Sequence, residues 1–198
     1  MSRLSNLRPV CGMLLLVAAA AATAHAQQHA AADDAAKQRV ELAGGRFVAA
    51  APGAWQVVEP KMQMIEKEFS IPAPQGADAE AARLTVMTAG GSVEQNIARW
   101  IGQFQGTEGG ADRSQADTEQ LEVDGMKATV VDISGVYLQS AGGPFGPKTP
   151  REGWRMLGAI VETGGAGNYF FKMVGPEQVV GPAAHGFKQM ISSLEKKP

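Results

Sequence analysis

Hydrophobic and polar positions alternate along most of this chain, and the alternation predicts strands. Met64 to Ile71 sets Ile65, Phe69 and Ile71 on one face and Glu66, Glu68 and Ser70 on the other, before Pro72 and Pro74 stop it. Phe47-Val48-Ala49-Ala50 and Trp55-Gln56-Val57-Val58 read as strands about a Pro52-Gly53 turn, and Ala82 to Met87 as another with Leu84 and Val86 inward. From Leu121 to Val174 two hairpins follow in succession. The first turns at Asp124-Gly125, where both residues tolerate positive φ, and continues through Lys127 to Ser134. The second pairs Met156 to Val161 with Tyr169 to Val174 across Gly164 to Gly167.

Two stretches switch to the helical period. Ser92 and Gln95 have capping-box spacing, and Val93, Ile97, Trp100, Ile101 and Phe104 form one apolar stripe on a helix about 14 residues long, with Trp100 in the core. Near the end, Gly175-Pro176-Glu177 has helix-start character and Gly181-Pro182 interrupts it. The pattern predicts a short turn and then a helix from Pro182 with Phe187, Met190, Ile191 and Leu194 buried. Helices with a single apolar stripe must lie on a sheet. The fold class is therefore α+β, an antiparallel β-sheet with helical cover.

The ends of the chain carry other signals. Arg3 and Arg8, the apolar run Met13 to Ala22 and Ala24-His25-Ala26 form a signal-peptide pattern over residues 1–26, with cleavage expected after Ala26. The alternative is an uncleaved anchor. Residues 27–45 read as an Ala-rich flexible spacer ending in a short helical turn, and residues 46–197 as one α+β domain, large enough for a single core. The expected location is periplasmic or extracellular, with no membrane span after cleavage.

Charge and chemistry narrow the function classes. Without residues 1–26 the chain has 16 Lys+Arg against 20 Asp+Glu and no basic stripe, which disfavours nucleic acid and anionic membrane surfaces. Cys11, the only cysteine, precedes the cleavage site, so the mature chain has no thiol for metal or catalysis. His29 and His185 are far apart, the serines lack a GxSxG context, and no glycine run has a phosphate-loop frame. No metal and no cofactor are expected. Asp132, in mid-strand, either pairs with Arg155 or Lys172 on a neighbouring strand or lines a pocket. The Pro/Gly-rich stretch from Gln139 to Gly153 reads as a long loop. Phe145, Arg151, Trp154 and Arg155 are its candidate recognition residues, with Tyr137 and Asp132 at the edge. The alternative is a structural flap.

The order of elements, with Pro52-Gly53-Ala54-Trp55, the mid-chain amphipathic helix and the closing Phe187 to Leu194 segment, resembles the Mog1/PsbP-like architecture. The stretches Leu84 to Trp100 and Val131 to Gly135 also resemble uncharacterised exported proteins of planctomycete-type bacteria. The resemblance implies a binding or assembly role, with another protein or an envelope component as partner. Two other function classes stand beside it: a small envelope enzyme with a carboxylate-based site near Asp132, and a purely structural envelope protein.

Overall fold

The computed structural model describes residues 37–105, 116–140, 146–164 and 167–197. The predicted signal peptide and Phe145 lie outside the described residues.

Eleven strands, two α-helices and a 3₁₀ turn at Ala43–Gly45, where the sequence expected a short helical turn, make up the described chain. The strands are β1 (Lys37–Leu42), β2 (Phe47–Pro52), β3 (Gln56–Val58), β4 (Ile65–Ile71), β5 (Ala82–Ala89), β6 (Phe104–Gln105), β7 (Ala116–Val123), β8 (Met126–Ser140), β9 (Lys148–Glu162), β10 (Asn168–Pro176) and β11 (Glu195–Lys196). The helices are α1 (Val93–Ile101) and α2 (Glu177–Ser192). The main sheet runs β3-β4-β5-β10-β9-β8-β6, with β7 also on β8; every pairing is antiparallel. A smaller sheet has the order β1-β2-β11. The α+β class, an antiparallel sheet with helical cover, is what the structure has.

Alternation along the central strands builds two cores. Leu157, Ala159 and Val161 on β9 and Tyr169, Phe171 and Met173 on β10 face α2 and the small sheet, meeting Phe187, Met190, Ile191, Leu42 and Phe47. Phe47 and Tyr169 join the two sheets edge to face, with ring centroids 5.6 Å apart. The intervening Met156, Ile160 and Phe170 face the other way and, with Val131 and Ile133, lie under Trp100 of α1. The sheet is thus covered on both faces, α1 on one and α2 with the small sheet on the other.

Several elements differ from the sequence expectation. Lys37–Leu42, expected as spacer, is β1, paired with β2 in full register from Lys37↔Pro52 to Leu42↔Phe47, and Val40 and Leu42 are buried. Only a partner strand makes that weak pattern a strand. α1 has nine residues, not about 14, because Gly102 caps it and Phe104 pairs with Tyr137 in β6. Its capping box is present in both directions, Gln95 N–H to Ser92 Oγ at 3.2 Å and Ser92 N–H to Gln95 Oε1 at 3.3 Å. α2 is continuous through Pro182. Pro182 is exposed, so the Gln178 carbonyl it leaves unpaired can be hydrated, while buried Val179 and Val180 hold the first turn on the sheet.

The largest difference concerns the expected loop. β8 runs to Ser140 and β9 starts at Lys148, so most of Gln139–Gly153 is hairpin arm, with Gln139↔Thr149, Leu138↔Pro150 and Tyr137↔Arg151 in register. The outer half of β9 pairs with β8 alone, since β10 joins only at Trp154↔Pro176. A proline is tolerated on such an edge.

Candidate functional site

The site on the α1 face starts from a close approach. The Trp100 ring lies on Gly158 of β9, so near that a Cβ there would meet ring carbons at 2.3, 2.7 and 3.0 Å. Phe170 supports the same ring edge to face at 6.0 Å. The end of α1 is then stitched to β8: Leu138 N–H donates to the Gln103 carbonyl at 2.8 Å, and β6 pairs with Tyr137 and Val136. Buried Asn96 accepts from Arg99 Nη1 at 3.0 Å and donates to the carbonyls of Gly90 and Ser92, which orients Arg99 beside this junction.

Along β8 and β9 an aromatic ladder rises from that junction. Phe104 tilts on Tyr137 at 5.3 Å, and Tyr137 stacks on buried Trp154 at 5.3 Å with the planes only 4° apart. The Arg151 guanidinium sits 4.9 Å over the Trp154 ring and pairs with Glu80. Lys172 Nζ lies 5.6 Å over the Tyr137 ring and donates to Gln103 Oε1.

Beside the ladder is a pocket of about 450 Å³, with Arg99, Gln103, Tyr137, Ser140, Lys148 and Lys172 in its wall. Three of these are cations. None of the described wall residues is a carboxylate. Two acids near this face are already paired, Glu68 with Arg83 in a two-pronged contact at 2.7 and 2.8 Å and Glu80 with Arg151. Burial and the neighbouring Arg83 charge together push the Lys172 ammonium down to about 8. Burial also raises the Tyr137 hydroxyl, so that phenol stays neutral.

The expected recognition residues do not all meet. Tyr137, Arg151 and Trp154 come together on the α1 face. Asp132 and Arg155 lie on the opposite face, because successive residues of a strand point to opposite sides and Arg155 follows Trp154. There Arg155 Nε and Nη2 donate to the two Asp132 oxygens at 2.8 and 2.6 Å, and Nη1 to Glu177 at 3.0 Å at the start of α2. Of the two partners open to Asp132 in the sequence, Arg155 holds it and Lys172 does not. The pair raises the Arg155 pKa further. Among the described residues no group of three or more His, Cys, Asp or Glu is placed to hold a metal.

Lys172, Gln103, Arg99 and Lys148 were absent from the expected site. One signal pointed to Lys172: a lysine between Phe171 and Met173 breaks a strand that is otherwise buried on both faces.

No protein-family model and no curated protein matches the chain. Solved structures do. The chain is similar to cyanobacterial PsbP (CyanoP) from Synechocystis, at 13% identity and TM-score 0.49 over 82% of this chain and 94% of that one. It is also similar to the Saccharomyces cerevisiae Ran-binding protein Mog1p, at 8% identity and TM-score 0.46 over 81% and 95%. A Pseudomonas aeruginosa protein of unknown function matches at 15% identity and TM-score 0.43 over 82% and 98%. Such likeness carries no function over to this chain.

Proposed function

We propose that this chain is an exported, non-enzymatic binding module whose recognition surface is the α1 face. The observation that carries this reading is Arg151, part-exposed over the buried Trp154 ring that the aromatic ladder holds in place, beside a pocket walled by three cations. Arginine is one of the residues that carry most of the energy at protein interfaces, since its planar guanidinium packs on a partner and still offers donors. Asp132, the carboxylate on which an enzymatic reading would rest, is committed to Arg155 on the other face. Export is supported by the charged start, the apolar run and Ala24-His25-Ala26.

Capture of partners from an envelope extract by the mature protein, compared with its Arg151→Ala and Asp132→Asn variants, tests the reading. Arg151 is exposed enough to be removed without opening the core, and the Glu80 it leaves is half exposed. The expected outcome is a loss of roughly ten- to a hundred-fold for Arg151→Ala, with capture by Asp132→Asn unchanged. Equal capture by wild type and Arg151→Ala would refute it.

A further inference from the structure

We propose that the pocket between the end of α1 and the β8–β9 hairpin binds a multivalent organic oxyanion, a phosphate ester or polycarboxylate, with Lys172, Lys148 and Arg99 as its cationic contacts. This rests on the binding-module reading and names the chemistry that the recognition surface takes.

Three features of the site lead there. The first is charge without a counter-charge. Lys148 and Lys172 have no ion pair with a described residue, and Arg99 is held by a neutral amide, that of Asn96. Lys188 pairs with Glu119, Arg39 with Glu41 and Arg83 with Glu68, but here three cations share one cavity with no carboxylate among its described wall residues. Three cations around one cavity repel one another, and an anion between them relieves that repulsion.

The second feature is shape. A volume of about 450 Å³ is within the range of small-molecule sites and well beyond one bare ion and its water. Tyr137 is not offered as a stacking platform, because Trp154 covers one side of the ring, Phe104 leans on it and Lys172 caps it. What the pocket presents is donors: the ammonium groups, the Arg99 guanidinium, the Ser140 hydroxyl and the Gln103 amide. Donors without stacking select oxyanions over flat apolar ligands.

The third is the setting of Lys172. The charged groups around it are Arg83 on β5, with Glu68 of β4 spent on that arginine, Tyr137 on β8, Arg99 on α1 and Lys148 on β9. Burial, and after it the Arg83 charge, disfavour the ammonium and push its pKa down to about 8. A bound oxyanion favours the charged form, so binding takes up a proton on Lys172 and weakens as pH rises.

Calorimetric titration of the mature protein with citrate, glycerol phosphate and inorganic phosphate at pH 7 and pH 9 tests the proposal. Citrate binding alone identifies a polycarboxylate site, glycerol phosphate binding alone a phosphate-ester site, and both support the shared chemistry. Wild-type affinity should fall roughly tenfold between pH 7 and pH 9. Lys172→Met should weaken binding at pH 7 by about tenfold or more and flatten the pH profile, while Lys172→Arg should restore binding with a flat profile. Lys148→Ala, a surface change, should weaken it by about fivefold. Thermal melts of each variant separate lost binding from lost fold. Binding of none of the organic anions at millimolar concentration, or equal binding by wild type, Lys172→Met and Lys148→Ala, would overturn the proposal. If anions fail to bind while Arg151→Ala still loses partner capture, the pocket assignment falls and the binding-module reading stands.

Discussion

Replacing Gly158 by alanine tests the contact on which the α1 face is built. The new methyl would stand 2.3 Å from the nearest Trp100 ring carbon, about 1.2 Å inside the 3.5 Å at which carbon atoms sit at rest. Phe170 backs the ring, and buried Asn96 and the Gln103–Leu138 hydrogen bond hold both ends of the helix, so the ring cannot simply turn away. The overlap is relieved by lifting α1 from the sheet. Overpacking of this kind costs about 1–3 kcal/mol, and the upper part of that range applies because backbone must move. Against it, alanine in a strand gains roughly 0.5–1 kcal/mol over glycine. The clash wins, leaving a net loss of about 2 kcal/mol. For a domain of this size that is a melting temperature roughly 4–8 °C lower. Urea denaturation of Gly158→Ala, Trp100→Leu and the double variant isolates the contact. Leucine removes most of the ring, so alanine at 158 should then be neutral or slightly stabilising, with a coupling of about 1.5 kcal/mol or more. A Gly158→Ala protein as stable as wild type, or one that loses the same amount in the Trp100→Leu background, would refute the reasoning.

Stability should also depend on pH through Lys172. Its folded pKa, about 8, lies below the ordinary 10.5, so between those values the unfolded chain binds the extra proton and stability rises with pH. The rise approaches about 3 kcal/mol, and urea midpoints from pH 7 to pH 10.5 should show it in wild type but not in Lys172→Met, which should be the more stable of the two at pH 7. Arg155→Ala should lower the thermal midpoint by several degrees, a loss of about 1–3 kcal/mol. It removes charged hydrogen bonds at 2.8, 2.6 and 3.0 Å and leaves Asp132 facing Glu177. An Arg155→Ala melt within a degree of wild type would show that this cluster is not the structural clamp described above.

The sequence by itself determined the features that depend on neighbours along the chain. Alternation in Ala82–Met87 and Phe69–Ile71 reports which face of a strand is dry. By contrast, a register shift between Ile65 and Lys67 breaks the alternation expected of Met64–Ile71 and puts Glu66 beside Tyr169 and Ala43. The Asp124-Gly125 turn has positive φ at both residues, 47° and 70°, as its composition requires. Ser92 and Gln95 cap α1 as their spacing predicts. Tertiary structure decided the features whose causes are distant. Lys37–Leu42 becomes a strand only because β2 offers it an edge, and the outer arm of β9 with Pro150 does so because β8 is long enough to pair with it. Pro182 stays within α2 because buried valines on the sheet outweigh one lost hydrogen bond. The site shows the same division. Once Trp154 and Arg155 lie on a strand, alternation separates them, but reading that stretch as a loop hid the consequence. The pocket had no local signature beyond a lysine in an apolar strand. Its wall is drawn from α1 and the residues after it, from β8, β9 and β10, and close packing on Gly158, which no spacing along the chain records, brings those residues together.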